Sequence, residues 1–114
     1  MLAKKHKIAK KKDFESIFRR GQSFKEGFLI LKTSDSVSPT NRFAFVVSQK
    51  VSKKAVVRNQ IRRRLGELIR AKTDKIKKGR DFVFIALPGL EKQSPHEIEE
   101  SLVSLLGKVG GLSK

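Results

Sequence analysis

Residues 43–72 read FAFVVSQKVSKKAVVRNQIRRRLGELIRAK, and the fold turns on this stretch. It opens with five apolar residues, Phe43 to Val47, too few for a helix. Their alternation predicts a strand with Phe43, Phe45 and Val47 on one face and Ala44 and Val46 on the other. Both faces are apolar, so the strand is expected to be covered twice, or to bind something on its second face. Val56 to Lys72 then predicts a helix. Val57, Ile61, Leu65 and Leu68 recur at i, i+4, i+8 and i+11, a stripe for the core. Asn59, Arg62, Arg63, Gly66 and Arg70 are expected on the polar side. Between strand and helix lie Lys50, Lys53 and Lys54.

Upstream, Phe14, Ile17 and Phe18 fall on one face of a short helix, Lys12 to Arg20. Asp13 suits the positive end of its dipole, and Gly21 is a plausible stop. A short strand is possible near Gln22 to Lys25. Phe28-Leu29-Ile30-Leu31 predicts another strand, and the polar stretch Thr33 to Asn41 a loop. Downstream, Thr73 to Arg80 is a basic connector. Asp81 to Leu87 is a strand ended by Pro88-Gly89. Ser94-Pro95-His96-Glu97 places Ser at a helix cap, Pro at the first helical position and Glu at the third. Ile98, Leu102, Leu105 and Val109 follow at helical spacing, and Gly110-Gly111 terminate the helix. The order α-β-β-α-β-α predicts one small sheet packed with helices.

The 114 residues make one domain, read as a basic arm (1–11), a single α/β domain (12–109) and a short tail (110–114). Twenty-seven Lys and Arg against eleven acids give a net charge of +16. Such an excess points to a polyanionic partner. Residues 4–12 hold six lysines and no acid, and residues 50–72 hold nine basic residues against Glu67 alone. The sign reverses in 91–100, with Glu91, Glu97, Glu99 and Glu100 against Lys92. There is no Cys, which excludes disulfides, thiol catalysis and Cys-ligated zinc. The longest apolar run, Phe82 to Leu87, is far short of the ~18 residues of a membrane span. No apolar segment follows Met1-Leu2-Ala3, so a secretory signal is not expected. The expectation is a cytoplasmic, strongly basic domain without a membrane partner.

No nucleophile elbow, Cys/His pair or HExxH motif is present. Glu97, Glu99 and Glu100 read as a solvated helix face. Gly107, Gly110, Gly111 and Lys114 do not link a strand to a helix, so they do not form a phosphate loop. The basic helix carries the signal. Guanidinium groups match phosphate oxygens, and the Asn59 amide can reach a base edge or a ribose. Salt-bridged surface helices alternate in sign, and this one does not. Gly66 has two readings, close approach of a nucleic-acid backbone or simple tolerance. Phe14 and Phe18 also have two, core packing or stacking on unpaired bases.

The segment Val47-Ser48-Gln49-Lys50, followed by Arg58-Asn59-Gln60-Ile61-Arg62-Arg63, resembles the signature of the protein subunit of bacterial ribonuclease P. Lys12-Asp13-Phe14 with Phe18 and Gly21, then Asp81 to Ala86, then Ser94 to Leu106 extend the resemblance over residues 10–108. It departs at Gln49, where the family usually has Lys, at Gln60, which replaces the second Arg of an Arg-Asn-Arg triplet, and at Gly66, where Arg is frequent. Arg64 is the neighbour available to compensate, placed nearer the buried stripe. The resemblance implies an α+β fold: a mixed four-stranded sheet, three helices and a left-handed βαβ crossover like that of a ribosomal-protein domain. Chirality rules alone favour the right hand.

The resemblance also implies a function. A catalytic RNA removes the 5′ leader of precursor tRNA endonucleolytically, with magnesium held mainly by RNA phosphates. The protein grips the leader in a cleft between the first helix, the sheet and the long helix. By position, Phe14, Phe18, Asn59, Arg62 and Arg63 would bind the leader. Lys50, Lys53, Lys54, Arg58, Asn59, Arg62, Arg63 and Arg70 would bind the RNA subunit. No residue of the protein would be catalytic. The other class to weigh is a structural RNA-binding protein of ribosomal type. A DNA-reading module is disfavoured, since no helix-turn-helix partner is visible.

Overall fold

In the computed structural model the described residues are 11–35, 41–72, 76 and 79–109. The expected arm before residue 11, the tail, the terminating Gly110-Gly111 and most of the connector lie outside them. The chain runs α1 (Lys11–Arg20), β1 (Gln22–Glu26), β2 (Leu29–Asp35), β3 (Arg42–Val46), α2 (Ala55–Lys72), β4 (Arg80–Ala86), a 3₁₀ turn (Leu90–Lys92) and α3 (Pro95–Lys108). The four strands form one sheet in the order β1-β2-β4-β3. β1 and β2 are an antiparallel hairpin, β2 and β4 are antiparallel, and β3 and β4 are parallel. α2 is the crossover between that parallel pair.

Position in the sheet explains the sequence patterns. β4 lies between β2 and β3, with α2 and α3 packed on one face and Ile17 of α1 on the other, and Phe82, Val83 and Phe84 are all inaccessible to solvent. A continuous apolar run is what such a strand requires. Phe82, Phe84 and Ala86 join Leu29, Leu31 and Phe43 on the face that packs Leu65 and Ile69 of α2 and Leu102, Leu105 and Leu106 of α3. Cross-strand partners stack there: Phe43 on Phe82 at 5.3 Å and Phe45 on Phe84 at 5.9 Å between ring centroids. A Lys72–Glu99 ion pair of 2.9 Å ties α2 to α3.

Three expectations are corrected here. β2 runs on to Asp35, where a loop was expected from Thr33. Thr33 is buried opposite Phe82, so tertiary pairing overrides its local preference for a turn. Phe28 belongs to the hairpin turn, not the strand, and is 41% exposed. The buried stripe of α2 is Ile61, Leu65 and Ile69, with Val57 and Leu68 only packed against its margin. The helix is thus rotated, and Gly66 points inward and not to the polar side.

A Cβ at Gly66 would sit 3.7 Å from the Phe45 ring, an ordinary contact. Gly66→Ala is therefore expected to stabilise the protein by about 0.5–1 kcal/mol through helix propensity. Urea unfolding checks this; a fall in midpoint would contradict it.

α3 begins as its sequence predicts. The Ser94 hydroxyl accepts from the Glu97 N–H at 3.2 Å, and the Glu97 carboxylate accepts from the Ser94 N–H at 2.9 Å. The backbone N–H of Ser94, and after it the Ser94 side chain, hold the Glu97 carboxyl below its ordinary value. The carboxylate's share of the cap is therefore complete above the ordinary glutamate value of about 4.3 and is lost as pH falls through the lowered folded value, while the Ser94 hydroxyl bond does not titrate. Ser94→Ala should cost about 1 kcal/mol at neutral pH. Urea denaturation at pH 7 measures it, and an unchanged midpoint would contradict the capping role.

Candidate nucleic-acid interface

Two surfaces meet the chemistry expected of a polyanion-binding protein. The first is the loop from β3 to α2 with the exposed side of α2. Val51 is buried in the main core and pins the middle of the loop. Two serines turn the backbone around it. The Lys50 N–H donates to the Ser48 hydroxyl and the Lys54 N–H to the Ser52 hydroxyl, each at 3.2 Å. Such short side-chain turns are what Ser favours. Lys50, Lys53 and Lys54 are left exposed.

The arginines of α2 divide between two tasks. Arg58 is half-buried, and its Nη1 donates to the carbonyls of Ser52 and Lys53, each at 3.0 Å. Arg62, also half-buried, donates from Nη2 to the Asn59 side-chain oxygen and from Nη1 to the Val47 carbonyl at 3.5 Å. Both side chains lean on the loop because α2 is rotated. Asn59, Arg63 and Arg70 are exposed.

Arg64 is also exposed, not set near the buried stripe as expected. It shares a shallow groove of about 620 Å³ with Gln60, Arg63, Glu67, Leu68, Ala71 and Pro95, on the side of α2 that meets the start of α3. Gln60 and Arg64 stand one helical turn apart, so the charge absent at position 60 reappears on the same face.

The second surface is the other face of the sheet. Ile17 of α1 packs on Ala44 and Val83, with Phe14, Val46 and Ile85 half-buried around them. Register aligns Ile30, Ile85 and Val46 in one row across β2, β4 and β3. All three are half-buried, so they floor an apolar cleft that α1 covers only in part. Phe14 and Phe18 lie along it with ring centroids 6.4 Å apart, and Phe18 is 46% exposed. An aromatic ring half in solvent beside an apolar floor is available for stacking.

Lys32, which sequence reasoning missed, projects from this face with its ammonium 5.5 Å from the centre of the Phe18 ring. Its alternation with Ile30 and Ser34 was the available signal, hidden because the run ending at Leu31 looked complete. At the far end of the face, Arg42 clamps the buried Asp81 carboxylate through two bonds of 2.9 and 2.7 Å.

Acidic groups with shifted carboxyls lie elsewhere. Glu26 is held below its ordinary value by the Ser104 hydroxyl and then by Lys108, and Glu99 by Lys72. Among the described residues no helix is long and apolar enough to cross a membrane.

A basic loop and helix that follow the edge strand β3, with an apolar strip of the sheet only partly covered by α1, define a class of small basic α+β domain. The comparisons place the chain within that class. The family model for Ribonuclease P matches residues 2–110. The chain is 39% identical over 108 residues to the ribonuclease P protein component of Clostridium botulinum (strain 657 / Type Ba4), covering 94% of this chain and 96% of that relative. Its fold is similar to that of the Staphylococcus aureus RNase P protein, with a TM-score of 0.87 at 25% identity, covering 95% of this chain and 98% of that one. The RNase P protein from Thermotoga maritima gives 0.81 at 26% identity, covering 90% and 96%. The chain belongs to the ribonuclease P protein family.

Proposed function

We propose that this chain is the protein subunit of a ribonuclease P, binding a catalytic RNA and the 5′ leader of precursor tRNA during endonucleolytic leader removal. The observation that carries the reading is the apolar cleft under α1, with Phe18 half-exposed at its edge. An unpaired strand can lay bases on Phe14 and Phe18, while its phosphates meet Lys32 and the cations around Asn59, Arg62 and Arg63. Lys50, Lys53, Lys54, Arg58 and Arg70 belong, in this reading, to the surface that serves the RNA subunit. At the end that is cut, precursor differs from mature tRNA by the leader, so a single-strand cleft favours substrate over product.

Among the described residues, no three His, Cys, Asp or Glu side chains gather where they could hold a metal ion. Magnesium, in this proposal, is held mainly by RNA phosphates. The protein's own part is electrostatic, since its cationic surface lowers the repulsion between the RNA chains that must meet there. This role places the protein in the compartment where tRNA is matured, which in a bacterial cell is the cytoplasm.

The test is a pair of affinities measured on the assembled ribonucleoprotein. Phe14→Ala is expected to lower affinity for precursor tRNA by roughly 5- to 150-fold, the ~1–3 kcal/mol of a base stack, and to leave mature tRNA nearly unaffected. Equal losses for both would show that Phe14 serves packing alone.

A further inference from the structure

The loop carrying Lys50, Lys53 and Lys54 has three like charges within five residues, and self-repulsion favours its spreading. Beside the buried Val51, the following helix reaches back to this loop through one side chain. Arg58 Nη1 donates to two successive carbonyls, Ser52 and Lys53, at 3.0 Å each. Those bonds turn the carbonyl oxygens toward α2 and away from any anion. The Ser48 and Ser52 hydroxyls and the Val51 N–H, which donates to the Ser48 carbonyl at 3.1 Å, fix the remainder. Arg58 is half-buried and both N–H bonds of its Nη1 are committed to the loop carbonyls, so only Nε and Nη2 remain for any other partner.

We propose that Arg58 is a positioning residue: it holds the 48–54 loop in the shape that presents Lys50, Lys53 and Lys54 to the phosphodiester backbone of the RNA subunit. Its contribution to RNA affinity passes through those lysines. A preformed loop binds without the ordering cost that a mobile one incurs, and the counterions released are those of the lysines. This inference rests on the function proposed above and goes beyond it by separating an arginine that builds the surface from the cations that touch RNA.

The test is a double-mutant cycle on affinity for the RNA subunit, using the full chain. Lys50→Ala/Lys53→Ala/Lys54→Ala and Arg58→Ala are each expected to weaken binding by roughly tenfold, as loss of charge-assisted contacts does. The variant combining all four substitutions should bind within about threefold of the lysine variant, because the same contacts are already gone. Independent contacts would instead multiply to about a hundredfold. Multiplied losses would overturn the proposal and make Arg58 a direct phosphate ligand.

Hydrogen exchange on the free protein gives a second reading. In Arg58→Ala the Lys50, Val51 and Lys54 amides should exchange faster while those of Ile61 to Ile69 keep their protection. Unchanged loop amides would also overturn the proposal. If Arg58→Ala fails to fold, Arg58→Lys keeps the charge without the planar fork and should show the same loop-specific acceleration. If the lysine variant binds like wild type, the loop is not an RNA contact and the inference falls, while stimulation of processing by the wild-type protein would leave the proposed function standing. If the wild-type chain neither binds the RNA nor stimulates processing, the function itself falls.

Discussion

Gly21→Ala is expected to destabilise the protein by on the order of 3 kcal/mol, a large share of what a domain of this size holds. Gly21 follows α1, and its N–H donates to the Ile17 carbonyl at 2.8 Å. A Cβ there would stand 2.6 Å from the Thr33 carbonyl oxygen of β2 and would also collide with the Ile17 carbonyl. Both obstacles are backbone, so neither can rotate aside. The sequence suggested a glycine that merely ends a helix. The structure shows one that lets the helix end press against the sheet.

The consequence reaches the cleft. α1 is fastened by a small cluster, Ile17 on Ala44 and Val83, and it carries Phe14 and Phe18. Displacing it should lower the urea midpoint and also remove the preference for precursor over mature tRNA. A Gly21→Ala protein with wild-type midpoint and selectivity would show that α1 is not held where the structure puts it.

Arg62→Ala/Arg63→Ala is expected to lower RNA affinity more than tenfold and to flatten its salt dependence. The plot of log affinity against log salt should lose about 0.7–0.9 of slope for each phosphate contact removed. The two residues act differently. Arg63 is exposed and free to meet phosphate, whereas Arg62 is half-buried and bonded to Asn59 and the Val47 carbonyl. Arg63→Ala alone should therefore account for most of the slope change, with Arg62→Ala acting mainly by releasing Asn59 and the start of the loop. An unchanged slope in the double variant would remove this face of α2 from the RNA interface.

What the sequence made legible followed from local physics. α3 was readable because Ser94, Pro95 and Glu97 specify a helix start within four residues. β4 was readable because a six-residue apolar run bounded by Pro88-Gly89 has few other uses. β1 was only a possibility at Gln22 to Lys25, since an edge hairpin strand with an exposed face carries little pattern. The length of β2, the rotation of α2 and the inward turn of Gly66 were not readable. Each depends on what packs opposite: Phe82 beside Thr33, and Phe45 beneath Gly66.

The candidate site divides in the same way. Composition and a run of nine cations against one acid marked the loop and α2. Nothing local showed that Arg58 bonds backward to Ser52 and Lys53, that Arg64 shares a face with Gln60, or that Lys32 stands over Phe18. The cleft floor joins Ile30, Ile85 and Val46 from three strands, so it exists only once the sheet order is known.

The most direct test of the central claim is cleavage of labelled precursor tRNA by a bacterial ribonuclease P RNA, at magnesium too low for the RNA alone, with and without this protein. The account predicts that the protein restores accurate cleavage at the 5′ end of the mature tRNA. A protein that binds its cognate RNA subunit and leaves cleavage unchanged would contradict the account and identify a structural RNA-binding role instead.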